Sequence, residues 1–159
     1  MIAIVDYKAG NLTSVKLALG YLGVDCQITY DPDVIRGAER VIFPGDGAAA
    51  AAMEHLNELR LLAPLKDAIA KGTPTLGICL GTQVICDWSD EDGGVPCMGL
   101  LPGKVKKFIA PDPLCKIPQM GWNTMKFARK HPLFEGIEDD REFYFIHSYY
   151  PVPESRDLV

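Results

Sequence analysis

The chain has 159 residues, 48% hydrophobic and 23% charged, which is ordinary for one globular domain and excludes a disordered, collagen-like or disulfide-dense chain. Sixteen basic against 21 acidic side chains give a formal net charge of −5 with no basic run, which argues against a nucleic-acid groove or a membrane surface as partner.

Ile2–Val5 reads as a buried strand; with no basic residue before it and no cleavage pattern after it, it is not a signal peptide. Asn11 and Thr13 supply capping chemistry for a helix over Leu12–Leu22, where Val15, Leu19 and Leu22 recur at helical spacing and Gly23 ends it. Cys26–Thr29 reads as a second strand and Asp31-Pro32 as a turn. Arg40–Phe43 is a third, fully apolar strand. Helices follow over Ala48–Leu56 and Pro64–Ala70, then a strand over Thr75–Ile78. Leu80–Trp88 reads as helix, closed by the polar Ser89–Gly94 loop.

The order β-α-β-α-β-α-α-β-α predicts a three-layer, doubly wound, mostly parallel α/β domain of flavodoxin-like type. Its ligand site is expected at the carboxyl ends of the strands. Gly103–Phe108 and Phe143–Tyr150 add β-branched and aromatic segments, expected as further, partly antiparallel strands. One domain accounts for residues 1–159. The segment Pro151–Val159 stops at Asp157-Leu158-Val159, which reads as the start of another strand, so the C-terminal part of the domain is expected to be missing.

The sharpest chemical signal is Leu76-Gly77-Ile78-Cys79-Leu80-Gly81-Thr82-Gln83. A cysteine between a buried strand and a helix, with glycines two residues to either side, has the pattern of a nucleophile elbow. A helix N-terminus favours thiolate, and the Leu80 N–H is placed for an oxyanion hole. The other four cysteines (Cys26, Cys86, Cys97, Cys115) read as small core hydrophobes. An odd cysteine count without a C-x-x-C pair predicts reduced thiols, no zinc site and a cytoplasmic setting. Phe43-Pro44-Gly45-Asp46-Gly47 also follows a buried strand, and its glycines let backbone N–H groups approach a ligand.

Strand-Pro-Gly-x-Gly, then Gly-x-Cys-x-Gly-x-Gln, then Phe145-Ile146-His147-Ser148-Tyr149-Tyr150 resembles the class I, triad-type glutamine amidotransferases. Asp6-Tyr7, Gly10-Asn11, Asp90-Glu91 with Gly93-Gly94, Leu101-Pro102-Gly103, Met120-Gly121-Trp122-Asn123 and His131-Pro132-Leu133-Phe134 extend the likeness over essentially the whole chain. Within that family they resemble the glutaminase subunits of imidazole glycerol phosphate synthase, in histidine biosynthesis. The resemblance implies that Cys79 attacks the glutamine amide and forms a thioester. It implies an oxyanion hole from the N–H groups of Leu80 and the Gly45-Asp46-Gly47 loop. Gln83, Glu91, His147, Ser148 and Tyr149 then hold the glutamine. It further implies a heterodimer with a separate cyclase chain, met through Asn11, Met120, Trp122, Asn123 and Tyr144, and no cofactor or metal.

A thiol nucleophile needs a base held by a third group. The chain has three histidines. His55 reads as a surface residue and His131 as a turn residue, while His147 matches a position near the substrate rather than the base. In the family the base and its carboxylate come from a later His-Pro-Glu segment, which matches no residue here. Efficient turnover by this chain is therefore not expected, and a catalytically dead interaction protein is the alternative. Asp46 stands where the family has an apolar residue, and Lys8 where glycine is common. A carboxylate beside a developing oxyanion repels it, so Asp46 is expected to turn into solvent.

Overall fold

Four short apolar runs become neighbours in one parallel sheet. The computed structural model describes residues 1–159. Strand β1 (Ile2–Val5) pairs with β2 (Cys26–Thr29) and β3 (Arg40–Gly45), and β3 pairs with β4 (Thr75–Cys79), giving the order β2-β1-β3-β4. Ala3, Ile4 and Val5 of β1 are fully buried, as expected for a strand covered on both faces. The connections are helices: α1 (Leu12–Tyr21), α2 (Pro32–Gly37), α3 (Ala49–Glu58) and α4 (Leu62–Ala70), with α5 (Leu80–Val84) after β4. Right-handed crossovers reverse direction at β1, placing α1 on one face and the β2–β3 and β3–β4 helices on the other. This is the doubly wound α/β arrangement read from the sequence.

The two faces are unequally filled. Tyr7, Phe43, Ile35, Leu56, Leu61, Leu65, Leu80 and Val84 form the main core with the α2–α5 side. By contrast α1 buries no residue, and Leu17, Tyr21 and Leu22 stand exposed. Its Asn11 cap is as expected, with the side-chain oxygen accepting from Ser14 N at 3.2 Å.

A second, mixed sheet has the order β10-β7-β5-β6, built from β5 (Cys86–Ser89), β6 (Val95–Pro96), β7 (Leu101–Lys107) and β10 (Tyr149–Pro153). Strands β8 (Gln119–Thr124) and β9 (Glu142–His147) form a separate antiparallel ribbon.

Several boundaries differ from the sequence reading. The turn at Asp31-Pro32 is the start of α2, since Asp31 accepts from Asp33 N at 2.8 Å and proline fits the first helical turn. The helix expected over Leu80–Trp88 ends at Val84, and Cys86–Ser89 is strand β5 beside β7. The β-branched Thr82, Val84 and Ile85 weaken a long helix there, while Cys86 and Ser89 bury their side chains in the second sheet. Phe143–Tyr150 is two strands broken at Ser148, because β9 pairs with β8 and β10 with β7. The strand expected to begin near Val159 is a single 3-10 turn over Arg156–Leu158, capped by Ser155.

Tyr7 lies fully buried against Phe43, with ring centroids 5.1 Å apart, and its hydroxyl meets no hydrogen-bonding protein group. A buried unpaired hydroxyl costs about 1–3 kcal/mol. Tyr7→Phe is therefore expected to stabilise the fold by ~1 kcal/mol, raising the thermal midpoint by ~2–4 °C for a domain of this size. A thermal melt checks it, and an unchanged or lower midpoint contradicts it.

Candidate active site

Strand β4 ends at Cys79, which adopts φ 55° and ψ −118° and leads straight into α5. A non-glycine residue in that region carries strain of order 1–3 kcal/mol, held only where the surroundings over-determine it. The flanking glycines do so. A Cβ on Gly81 would overlap the carbonyl oxygen of Phe43, and one on Gly77 would lie 2.9 Å from Thr82 Cα. The Gly-x-Cys-x-Gly pattern thus lets β3, β4 and the first turn of α5 close on one another. The thiol is left exposed.

The Gly45-Asp46-Gly47 turn reaches the thiol by sheet register, because Gly45 pairs directly with Cys79. Gly45 also admits no side chain, since a Cβ there would overlap the Tyr7 hydroxyl. Gly47 takes φ 85°, and α3 begins at Ala49. A cavity of about 190 Å³ opens here, lined by Gly47, Cys79, Leu80, Gln83, Glu91, Ile146, His147, Ser148 and Tyr149. Cys79, Gln83, Glu91, His147, Ser148 and Tyr149 are thereby brought to one place. Of the four oxyanion residues, Gly47 and Leu80 line the cavity; Gly45 is buried behind it, and Asp46 is exposed beside it. Ile146 was not singled out from sequence, although it sits between two residues that were.

Each polar group has a definite partner. Glu91 Oε2 accepts from Ala49 N at 2.6 Å, setting a carboxylate at the N-terminus of α3 where the helix dipole favours it. His147 Nδ1 donates to the Tyr149 carbonyl at 2.9 Å, which fixes the orientation of the ring. No carboxylate contacts that ring. Burial, followed by the charges of Glu91, Asp92 and Asp90, raises the Tyr149 phenol above its usual range. Asp46 turns its carboxylate away to accept from Gly10 N at 3.0 Å, in keeping with the solvent-facing orientation expected of it. Lys8 adopts φ 64°, the left-handed conformation that makes glycine common at its position.

Two sequence expectations need correction. His55 is not a surface residue: it is half-buried, with Nδ1 enclosed and unpaired. Cys115 is not a core thiol but is exposed, its sulfur 3.4 Å from Asp112 Oδ2. The proline-rich loop over 108–118 packs no apolar shell around it, and its neighbour Leu114 is itself exposed.

Outside the ribbon's pairing, Met120, Trp122, Tyr144 and Ile146 share one exposed face at 57%, 66%, 52% and 58% accessibility. Met120 stands opposite Ile146 and Trp122 opposite Tyr144, whose rings meet edge to face at 5.6 Å. Asn11 and Asn123 are exposed as well.

The buried thiols behave differently from the exposed ones. Burial, then the charges of Cys86 and Glu91, pushes Cys97 up to about 11, and burial with Asp87 also raises Cys86. At pH 8 a thiol of that pKa is only ~0.1% thiolate. Iodoacetamide at pH 8 is therefore expected to alkylate Cys79 and Cys115 well before Cys97 and Cys86, with Cys97 gaining rate tenfold per pH unit up to about 11. Peptide mass spectrometry checks it; early modification of Cys97 contradicts it.

Comparison with known proteins agrees with this geometry. The model of the family glutamine amidotransferase class-I matches residues 3–159. The imidazole glycerol phosphate synthase subunit HisH of Nitratidesulfovibrio vulgaris (strain DSM 19637 / Miyazaki F) is 48% identical, the alignment covering 100% of this chain and 77% of that protein. The subunit of the same name from Dehalococcoides mccartyi (strain CBDB1) is 46% identical, with 100% and 76% covered. A solved structure described as a crystal structure of glutamine amidotransferase superposes with a TM-score of 0.66 over 98% of this chain and 75% of its own. At 17% identity it speaks for the fold alone. The chain belongs to the class-I glutamine amidotransferase family, in the branch of the imidazole glycerol phosphate synthase HisH subunits.

Proposed function

We propose that this chain is the glutaminase subunit of imidazole glycerol phosphate synthase, releasing ammonia for a cyclase partner that forms imidazole glycerol phosphate and AICAR in histidine biosynthesis. The observation that carries the reading is the strained, exposed Cys79 at the mouth of a 190 Å³ cavity. That volume is below the ~300–1,000 Å³ of drug-sized pockets and suits a single amino acid. The Cys79 sulfur attacks the amide carbon of glutamine. The electron pair of the carbonyl moves to oxygen, facing the N–H groups of Leu80 and the Gly45–Gly47 turn. Collapse expels the amide nitrogen, which takes up a proton and leaves as ammonia, and the thioester is then hydrolysed to glutamate.

Glu91 and Gln83 meet the zwitterionic end of the substrate, with Ser148 and Tyr149 forming the opposite wall. No histidine among these 159 residues is hydrogen-bonded to a carboxylate. His147 lines the cavity, but its ring is oriented by a backbone carbonyl rather than a carboxylate. It holds the wall, and turnover by the 159 residues alone is slow. A glutamine-shaped diazoketone is expected to modify Cys79 and spare Cys115, although both thiols are exposed. Peptide mass spectrometry decides between them. Equal modification of the two would mean that the cavity does not recognise glutamine, and it would favour a dead interaction protein.

The cyclase docks on the ribbon face of Met120, Trp122 and Tyr144; of the other two residues expected there, Asn123 lies on the ribbon's other side with Phe145 and His147, and Asn11 caps α1. A cluster of exposed aromatic and apolar groups has the character of an interface anchor. Trp122→Ala is expected to leave the thermal midpoint of the isolated chain within ~2 °C, since a 66% exposed side chain leaves no cavity behind. Binding to the cyclase should weaken by ~2 kcal/mol or more. Titration calorimetry with the cyclase checks this, and unchanged affinity refutes the docking face.

A further inference from the structure

The turn that follows β3 is held by carboxylates from both sides. At its far end Glu91 accepts from Ala49 N at 2.6 Å; at its near end Asp46 accepts from Gly10 N at 3.0 Å. The second bond spans two segments that are far apart in the chain but tightly packed. A Cβ on Gly10 would lie 3.3 Å from both Gly45 Cα and Gly45 N, and Gly10 takes φ 94°, so only glycine can offer its N–H at that spot. Gly45 in turn lies between the Tyr7 hydroxyl and Gly81 N. A hydrogen bond from a backbone N–H to a carboxylate oxygen is among the stronger ones a turn can make. The loop it fixes is in register with the nucleophile, through the pairing of Gly45 with Cys79.

We propose that Asp46 is a positioning residue: its carboxylate latches the Gly45–Gly47 turn to the Gly10 backbone and so holds the oxyanion donors beside Cys79. This rests on the glutaminase reading above and deepens it. The negative charge that looks hostile to an oxyanion is engaged by the Gly10 N–H. Its side chain touches no substrate and acts only through the backbone that carries it. Loss of the latch leaves the thiol and the glutamine-holding groups in place but lets the turn drift. The defect belongs to the step that develops charge on oxygen, not to binding.

The test is inactivation of the 159-residue chain by a chloromethyl-ketone analogue of glutamine. In this reaction the Cys79 sulfur, its proton lost to solvent, adds to the ketone and oxygen takes the electron pair; the sulfur then attacks the neighbouring CH2 and chloride leaves, while oxygen returns its pair and the bond from sulfur to the former carbonyl carbon breaks, leaving a thioether beside a restored ketone. Asp46→Val is expected to lower kinact ~10-fold, the size of one charge-assisted hydrogen bond. KI and the rate of Cys79 alkylation by iodoacetamide should stay within ~2-fold. Asp46→Asn keeps an acceptor oxygen and should recover most of the loss. An unchanged kinact in Asp46→Val overturns the latch, and so does an equal fall in the iodoacetamide rate, which would mark general damage to the fold. A parent chain in which the chloroketone reacts at Cys79 no faster than iodoacetamide overturns the glutaminase reading instead.

Discussion

The structure depends on the close approach of β3 to β4 at their carboxyl ends, where Gly45 pairs with Cys79 and Gly81 presses against the Phe43 carbonyl. Parallel strands stand ~4.8 Å apart. At that spacing a helix can start directly at the nucleophile only if the residues facing the neighbouring strand have no side chain. Glycines 45, 77 and 81 meet the requirement, and Cys79 absorbs the remaining mismatch as a positive φ. The strain and the exposure of the thiol share this cause. Burial elsewhere holds it: Tyr7, Phe43, Leu80 and Val84 pack beneath the elbow in the main core.

Much of this was legible in the sequence, because glycine at fixed offsets from a cysteine and a strand followed by Pro-Gly-x-Gly are local patterns with local causes. The four parallel strands were legible for the same reason. Short apolar runs that end at turns have no other economical reading. What escaped depends on tertiary partners. Cys86–Ser89 carries no strand signal strong enough to end a helix until β7 lies beside it. Ile146 gains its place in the cavity only from the break at Ser148, where one strand leaves the ribbon and the next joins another sheet. Asp46 could be seen as anomalous but not explained, since its partner Gly10 is 36 residues away in sequence.

Acidic groups crowd a site whose chemistry makes negative charge, and the fold disposes of each one separately. Glu91 faces a helix N-terminus, where partial positive charge offsets it. Asp90 accepts from the Trp88 indole at 3.1 Å and stands exposed. Asp46 is tied off at Gly10 N. The field from Asp46 and Cys79 still reaches the buried Tyr7 phenol, which burial chiefly, and then these charges, raise well above its ordinary range. A neutral Tyr7 behind Gly45 keeps a further negative charge from the back of the oxyanion loop.

The ribbon and the cavity share strand β9, and that sharing has a mechanical consequence. Side chains alternate along it: Tyr144 and Ile146 face outward with Met120 and Trp122, while Phe145 and His147 turn inward, where their rings pack at 5.9 Å. At the end of the strand both faces arrive at the cavity, since Ile146 and His147 each line it. Under the docking proposed above, a partner on the outward face would cover Ile146, on the same strand that carries His147. Strand β9 pairs only with β8 along its length, and its end is tied to the second sheet, where His147 Nδ1 donates to the Tyr149 carbonyl and its ring meets Phe108 edge to face at 5.0 Å. A two-stranded ribbon is marginal on its own. Under that docking, a partner on the ribbon would therefore bear on the wall of the Cys79 cavity through one strand rather than through the core.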